Sequence, residues 1–207
     1  MPSVTRRTSS GRLRREAVEQ RVFDAVERLL ADGESFTSLG VQRIADEAQI
    51  ARSTFYVHFP DKSTLLMRLT ESATRDMFPR PEEWVGGADA GGLDALTRTT
   101  SRMLRHYRSH ADALAALAEV AAYDTDVAEF WRVRVDRFAE VLRARLESDR
   151  RAGRLPADLD CDVTARLIAW GTERIVSDHM ANDDGRGDER LAVSLARAMW
   201  AAMHAAG

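Results

Sequence analysis

Apolar residues recur at helical spacing over most of the chain, and no segment shows the alternation of apolar and polar residues that is typical of a strand. The first such stretch consists of Val22, Ala25, Val26, Leu29 and Leu30. Gly33 follows it, and glycine is common just beyond a helix C-terminus. Ser10 is a suitable N-terminal cap for this helix, and residues 1–10 are expected to be disordered. The pattern predicts an all-α protein.

Residues 37–62 predict two short helices separated by a tight turn at Gln49–Ala51. The apolar face of the first helix consists of Ile44, Ala45 and Ala48. In the second helix Phe55 and Phe59 lie four residues apart, so they share one face that must be buried. The opposite side and the flanks of this helix carry Ser53, Thr54, Tyr56 and Val57. Such a helix suits the recognition position of a helix-turn-helix.

Pro60 ends the recognition helix, and Asp61 can cap a fourth helix over residues 61–77. Prolines at 79 and 81 and the glycine-rich run at 86–92 then predict a loop. No predicted strand precedes this loop and no lysine follows it at P-loop spacing, so we do not expect it to bind a nucleotide.

Five more helices are predicted, over residues 93–108, 110–122, 125–152, 161–182 and 188–205. With the three helices of the N-terminal unit and the connecting helix they form an N-terminal helix-turn-helix unit and a C-terminal helical bundle. The predicted organisation is a disordered basic arm at 1–10, a DNA-binding domain at 11–60, a connecting helix at 61–78 and a ligand-binding and dimerisation domain at 79–207.

The chain has 207 residues, of which 44% are hydrophobic and 30% are charged, as expected of a soluble globular protein. Its net charge of −3 is unlike that of a protein that coats DNA through overall basicity. Charge distribution matters more than the sum, however. Before the first acidic residue, Glu16, the chain carries Arg6, Arg7, Arg12, Arg14 and Arg15. Alone, this arm is as consistent with a solubilising tail, but beside a helix-turn-helix it favours contact with DNA.

The run Ser53-Thr54-Phe55-Tyr56-Val57-His58-Phe59-Pro60-Asp61-Lys62, with Ile44-Ala45-Asp46-Glu47-Ala48 before it, resembles the signature of the TetR family of bacterial transcription regulators. Two positions depart from that pattern. Gln49 stands where the family often has glycine, so a residue with a side chain must adopt the turn conformation. Ala51 stands where a serine or threonine often caps the recognition helix, and the missing cap costs about 1 kcal/mol.

The resemblance implies a homodimer that sets two recognition helices in successive major grooves of a pseudo-palindromic operator. By this similarity the expected contacts to base edges are Arg52, Ser53 and Thr54. The expected contacts to phosphates are Thr37, Tyr56, His58 and Lys62. A small apolar ligand bound between the middle helices is expected to shift the fourth helix and release the operator.

The last predicted helix is apolar almost all round, so it must be buried on more than one side. One side can face the core of its own chain and the other a second subunit, in a four-helix interface with the helix at 161–182. The residues predicted for this interface are Val176, Leu191, Leu195, Met199 and Trp200. The alternative is a helix buried wholly within one chain.

Aromatic and polar residues on the middle helices are candidates for a ligand pocket. They are Met103, Tyr107, Trp131, Phe138, Trp170, Thr172 and Glu173. Such aromatics more often belong to a core, yet pockets between helices are mostly apolar with a few polar groups, here Thr172 and Glu173. The organisation of residues 131–174 resembles the EthR-like subgroup of the TetR family, which implies a long, largely apolar channel. Glu173 is as readily interpreted as half of an ion pair with an arginine.

No motif points to catalysis, to a cofactor or to a metal site, so we expect none of them. His106 and His110 have zinc-ligand spacing, but Ser109 is expected to break their helix and no third ligand supports them. A helical enzyme or carrier that uses the same apolar pocket, or a regulator that answers to a protein partner, remains the alternative.

The compartment is predicted from the cysteine count and from hydropathy. Cys161 is the single cysteine, so no disulfide forms within the chain and a reducing cytoplasm is the expected compartment. Cys161 itself is expected to be inert, with redox sensing as the alternative. The sequence has no apolar leader region and no apolar run long enough to span a membrane, so we expect neither secretion nor insertion.

Overall fold

A computed structural model describes residues 5–75 and 92–204, with side chains from residue 11 onward. Its helices are α1 (Thr5–Ala31), α2 (Val41–Glu47), α3 (Arg52–His58), α4 (Lys62–Thr74), α5 (Gly92–Ser109), α6 (Ala111–Ala121), α7 (Thr125–Arg151), α8 (Cys161–Asn182) and α9 (Asp188–His204). No strand occurs in these residues, so the all-α prediction is confirmed. No helix among them is both long and apolar enough to cross a membrane.

The first helix starts earlier than predicted. It begins at Thr5, so residues 5–10 are helical rather than disordered, and residues 1–4 lie outside the described residues. Gly11 interrupts the pattern, but a single glycine costs a helix only about 1 kcal/mol and the segment contains no proline. The helix ends at Ala31, and Gly33, the predicted stop signal, follows it with a φ of 86° and donates its amide to the Leu30 carbonyl at 2.9 Å.

The turn between α2 and α3 has the backbone conformation that the sequence predicts. Gln49 adopts a φ of 53°, in the left-handed region. The amide of Ile50 donates to the Ala45 carbonyl at 2.9 Å and closes the turn. Ala51, at the N-cap of α3, supplies no side-chain hydrogen bond. Both departures from the family pattern therefore have the expected local consequences.

The recognition helix α3 is held on the N-terminal core by its two phenylalanines, which are fully buried. Their ring centroids lie 5.5 Å apart, and Phe23 of α1 packs 5.9 Å from Phe59. Asp61 caps α4 by accepting the Thr64 amide at 2.6 Å, as predicted. These contacts fix the orientation of α3, and hence which of its side chains face outward.

The described residues form two compact units. The first unit extends to Ser72 and also includes Asp112–Val127, and the second contains the remaining described residues. Segment 112–127 joins the first unit because Glu119 accepts hydrogen bonds from Ser35 and Thr37, and Asp124 accepts one from Ser63. Helix α4 is therefore shared, since its last two residues, Ala73 and Thr74, belong to the second unit.

The helices of the second unit begin and end within one residue of their predicted positions, and α9 ends at His204, the last described residue. Helices α5 and α9 pack along each other. The buried residues of the two helices include Leu96, Met103, Leu104, Leu195, Met199 and Met203. The predicted continuation of α4 to residue 77 and the glycine-rich loop lie largely outside the described residues.

A charged cluster joins the ends of three helices in the second unit. Arg108 of α5 donates to both carboxylate oxygens of Asp188 at 2.6 and 3.2 Å and to the Asp183 carbonyl at 2.7 Å. His179 of α8 lies 2.8 Å from Asp188. Since Asp188 begins α9, the cluster closes the α8–α9 connection against the end of α5.

Candidate nucleic-acid interface

The outer face of α3, defined as Arg52, Ser53, Tyr56 and Val57, is exposed to solvent. It lies opposite Phe55 and Phe59, so burial of the phenylalanines determines its direction. Tyr56 is 45% exposed and Val57 is 73% exposed. Thr54, on the flank, is partly buried. The structure thus presents a guanidinium, hydroxyl groups and one apolar side chain on the exposed side of α3. A helix of this length can enter a DNA groove.

Arg52 and Tyr56 form a loose pair on this outer face. The Arg52 guanidinium carbon lies 5.8 Å from the centre of the Tyr56 ring, and Nη2 lies 3.5 Å from the phenol oxygen. No carboxylate among the described residues forms an ion pair with Arg52. A guanidinium that keeps most of its donors available can bind the O6 and N7 atoms of guanine.

A basic groove of about 750 Å³ lies between α1 and α3 within the first unit. It is lined by Arg14, Arg15, Arg21, Gln49, Thr54, Val57 and neighbouring residues. Arg14 and Arg21 form no ion pair with another described side chain, whereas Arg15 pairs with Glu19 at 3.1 Å. The groove therefore adds positive charge beside the outer face, even though the net charge of the whole chain is negative.

Beneath the C-terminal end of α3 lies a second set of charges, the Glu19 cluster, defined as Glu19, Arg15, His58 and Arg68. The Glu19 carboxylate accepts hydrogen bonds from Arg68 at 2.5 Å and from Arg15 at 3.1 Å, and His58 Nδ1 lies 3.4 Å away. Burial raises the pKa of Glu19, but the hydrogen bonds from Arg68, Arg15 and His58 outweigh it and leave that pKa lowered. The cluster ties α1, α3 and α4 together.

The structure gives three of the predicted phosphate contacts partners within the chain. His58 is only 8% exposed in its side chain and faces Glu19. Lys62 donates to the carbonyls of Phe36 at 2.8 Å and Thr37 at 3.1 Å, and burial lowers its pKa. The Thr37 hydroxyl donates to Glu119 at 2.7 Å. Contact of these residues with DNA therefore stays a prediction. Each could instead hold α3 in position through its partner within the chain.

The predicted pocket residues divide into separate groups within the second unit. Trp131 Nε1 donates to Glu173 Oε1 at 3.1 Å, and Ser177 donates to the same oxygen at 3.1 Å. Tyr107, which is buried, lies 2.8 Å from the Ser177 hydroxyl. These residues form one hydrogen-bonded chain across α5, α7 and α8. Ser177 was not predicted, although its position four residues after Glu173 on one helix is the signal that would have found it.

The remaining pocket candidates are Phe138, Trp170, Thr172 and Met103, and the first two share a core with Trp131. Trp170 donates to Asp136 at 3.0 Å, and Trp131, Phe138 and Trp170 all pack against a core of Val135, Ala139 and Ala169. Thr172 is buried and its hydroxyl points to Met199 Sδ at 3.8 Å. Met103 is buried beside α9. The described partners of Glu173 are Trp131 and Ser177, and no arginine among the described residues forms an ion pair with it.

The predicted dimer residues lie mostly inside one chain. Val176, Leu195 and Met199 are buried within the single chain. Leu191 is partly exposed, and Trp200 is partly exposed and stacks on His204 at 3.8 Å. Helix α8 also carries exposed apolar residues, among them Val163 at 59% and Leu167 at 61%. Contact of the predicted residues with a second subunit stays a prediction, and α8 offers a further apolar surface.

Two further sequence candidates have structural explanations. His106 Nε2 lies 2.7 Å from the Ala73 carbonyl, and α5 ends at Ser109 before His110. Cys161 is buried at the start of α8, and burial raises the pKa of its thiol.

Among the described residues, possible ligand atoms of His179, Asp183 and Asp188 lie within 4.8 Å of one another. The Arg108 guanidinium already pairs with Asp188 there, so the group is an ion-pair cluster.

Comparison with known proteins agrees with the helix-turn-helix geometry. The family model for "Bacterial regulatory proteins, tetR family" matches residues 23–69, which extend from α1 into α4. The "HTH-type transcriptional regulator EthR" of Mycolicibacterium smegmatis is 23% identical over 178 residues, which are 86% of this chain and 82% of that protein.

Solved structures share the fold at low sequence identity. Salmonella enterica GusR superposes with a TM-score of 0.74 at 19% identity, over 91% of this chain and 96% of that one. The transcriptional regulator FadR from Bacillus subtilis, solved in complex with stearoyl-CoA, gives 0.68 at 18% identity, over 89% and 99% of the two chains. With the family match in α1–α4, these findings show a helix-turn-helix of the TetR type at residues 23–69, in a chain that is similar over most of its length to helix-turn-helix transcription regulators.

Proposed function

We propose that the protein is a homodimeric repressor that binds a pseudo-palindromic operator and releases it when a small, largely apolar ligand binds. The exposed outer face of α3, held on two fully buried phenylalanines, is the observation that carries the DNA-binding part of this proposal. Two such helices related by a two-fold axis would enter major grooves about 34–36 Å apart.

Arg52, Ser53 and Thr54 are proposed to contact base edges, and Tyr56 a phosphate. Arg14 and Arg21, in the basic groove, are well placed to add phosphate contacts because no described acid neutralises them. Thr37, His58 and Lys62 are proposed to position α3 through their partners within the chain, and Lys62 keeps one ammonium hydrogen beyond its two carbonyl acceptors.

The second subunit is proposed to cover the apolar face of α8. Val163, Leu167 and Ile175 share that face, and all three are exposed in the single chain. Leu167→Glu should yield monomers in sedimentation at micromolar concentration, because the dimer would bury an unpaired carboxylate. Arg166→Glu is the control, since that neighbouring side chain is solvated. A wild-type chain that sediments as a monomer would exclude the dimer.

The ligand is proposed to bind beside the hydrogen-bonded chain of Tyr107, Ser177, Glu173 and Trp131. Both described donors to Glu173 go to Oε1, which leaves Oε2 to receive a donor group of the ligand. The apolar part would lie along the aromatics of α7. The stearoyl-CoA bound by FadR, a protein of the same fold, supports a ligand with a long apolar portion.

Helix α4 is proposed to carry the response to the DNA-binding unit. Its start is held in the first unit by Arg68 on Glu19. In the second unit Thr74 accepts a hydrogen bond from Arg134 of α7 at 2.8 Å, and Arg134 lies one turn from Trp131. A ligand that favours one position of α7 over another would thereby act on α4. A ligand with equal affinity for both positions would shift nothing.

The DNA-binding part is tested by selecting operators from a random-sequence DNA library and measuring affinity by fluorescence anisotropy at about 0.15 M salt. We expect a pseudo-palindrome bound at least about 10³-fold more tightly than unrelated DNA. Failure to enrich any sequence, with equal weak binding to all DNA, would overturn the proposal.

The ligand part is tested with a library of hydrophobic compounds, scored by tryptophan fluorescence and thermal shift. Compounds that bind should release the selected operator and lose affinity in Glu173→Gln and Trp131→Ala. If Phe138→Ala and these variants bind every such compound as tightly as the wild type, the ligand site lies elsewhere. If no compound releases DNA but a protein captured with the regulator does, the regulator answers to a protein partner.

A further inference from the structure

Val57 stands out on the recognition helix because it is apolar and exposed. At 73% exposure it is the most exposed large apolar side chain in the described part of the chain. Its neighbours on the outer face are polar. In an isolated monomer such a side chain contributes little to stability, because it removes little apolar area from water.

The position of Val57 places it at the centre of the outer face. It lies four residues after Ser53 on α3, so the two side chains are neighbours on the helix surface. Both lie opposite Phe55 and Phe59, which are fully buried. Arg52 and Tyr56 occupy one flank and Thr54 the other. A helix that enters a groove with this face leading therefore brings Val57 and Ser53 closest to the bases.

The chemistry of the valine restricts what it can bind there. An isopropyl group offers no donor or acceptor, so it gains nothing at a phosphate. Among the base edges of the major groove, the 5-methyl group of thymine is the apolar feature. The side chain is also branched at Cβ and stiff at χ1, so little conformational freedom is lost on contact.

We propose that Val57 contacts the 5-methyl group of a thymine in each operator half-site, beside the base that Arg52 reads. This inference rests on the proposed DNA-binding function and adds to it one specificity-determining residue and the base that it selects. It predicts that thymine is required for its methyl group, because valine cannot sense the O4 acceptor of the same base.

The test replaces each thymine of the selected operator, one position at a time, with deoxyuridine, which lacks only the methyl group. For the wild-type protein we expect one thymine in each half-site where the replacement lowers affinity roughly fourfold, and about 15-fold when both half-sites are changed. In Val57→Ala the penalty at that position should disappear. In Val57→Ile, which keeps an apolar branched side chain, it should persist.

Val133→Ala is the matched control, because Val133 is 48% exposed on α7 and far in sequence from α3. This variant should show the full deoxyuridine penalty of the wild type. Val57→Ala should melt within a few degrees of the wild type, since its side chain is not part of the core, so that a change in affinity reflects contact rather than folding.

The outcomes separate this inference from the function on which it rests. If no DNA sequence is selected, the DNA-binding proposal fails. If an operator is selected and Arg52→Ala weakens its binding, three results overturn the role of Val57 alone. These are half-sites without thymine, deoxyuridine tolerated at every position, and a penalty of equal size in Val57→Ala.

Discussion

The outer face of α3 and the Glu19 cluster lie on opposite sides of the same short helix, and both contain cationic residues. In the Glu19 cluster every basic residue has a partner, since Arg15, Arg68 and His58 all face one carboxylate. On the outer face the one described partner of the Arg52 guanidinium is the neighbouring Tyr56. The difference teaches that the count of basic residues does not locate a DNA contact, because a cation already held by the protein has fewer donors left for phosphate or base.

The comparison also separates residues that bind DNA from residues that stabilise the fold. Residues of the outer face make few contacts in the free protein, so their loss should leave the fold intact and reduce DNA binding. Residues of the Glu19 cluster join three helices, so their loss should reduce stability first and DNA binding only as a consequence. Measuring both quantities for each variant therefore assigns a residue to one side or the other.

The largest expected effect is on the outer face. Arg52→Ala should weaken operator binding by about 1–3 kcal/mol per half-site and relax the preference for one base pair in each. The melting temperature should stay unchanged, because Arg52 has no partner in the core. Anisotropy titrations against operators changed at single positions measure the first effect, and thermal unfolding measures the second. A lower melting temperature with the base preference intact would show that Arg52 stabilises the fold and does not contact a base.

A smaller effect, on stability, is expected at the centre of the Glu19 cluster. Glu19→Gln removes the charge that Arg68 and His58 share, and should lower the free energy of unfolding by about 2 kcal/mol. For a chain of this length the melting temperature should then fall by roughly 4–8 °C at fixed protein concentration. Glu16→Gln is the control, because the Arg12–Glu16 pair is exposed, and it should change stability by less than about 0.5 kcal/mol. Equal melting of both variants would contradict the structural role.

The pH dependence of that effect follows from the lowered pKa of Glu19. The hydrogen bonds favour the ionised form in the folded state, so the stabilisation is fully present above the unfolded value of 4.5. It is lost as the pH falls through the lower folded pKa. The difference in stability between wild type and Glu19→Gln should therefore stay constant from about pH 6 to 8 and narrow below about pH 4.5. If this difference in stability grows as the pH falls, the pKa of Glu19 is raised in the folded protein and not lowered.

The smallest effects distinguish Lys62 from Tyr56, both of which the family resemblance assigns to phosphates. Tyr56→Phe should weaken binding to all DNA sequences alike, by about 1 kcal/mol, without changing stability. Lys62→Met should lower stability by about 1 kcal/mol and leave the salt dependence of binding unchanged, because its ammonium is bound to two carbonyls. If Lys62→Met instead flattens the salt dependence by about one ion per subunit, Lys62 does grip a phosphate.

The candidate sites could be predicted to different extents, as α3 and α9 illustrate. In α3 the two phenylalanines define one buried face, so the outward residues follow from helical geometry alone. In α9 apolar residues occur almost all round, so the sequence does not indicate which side of the helix faces the core of its own chain. The structure shows Leu195 and Met199 buried within the chain and an exposed apolar face on α8. The faces that pair between two chains stay a prediction.

The sequence by itself determined the helices, the helix-turn-helix and the outward side of α3, because helical periodicity, caps and turns depend on residues within one or two turns of each other. Only the tertiary structure decided which polar side chains are already bound. The Phe36 carbonyl held by Lys62 lies 26 residues away in the chain, and the Glu19 carboxylate lies 39 residues from His58 and 49 from Arg68. Such pairs are set by the packing of helices against one another, and no local pattern in the sequence encodes them.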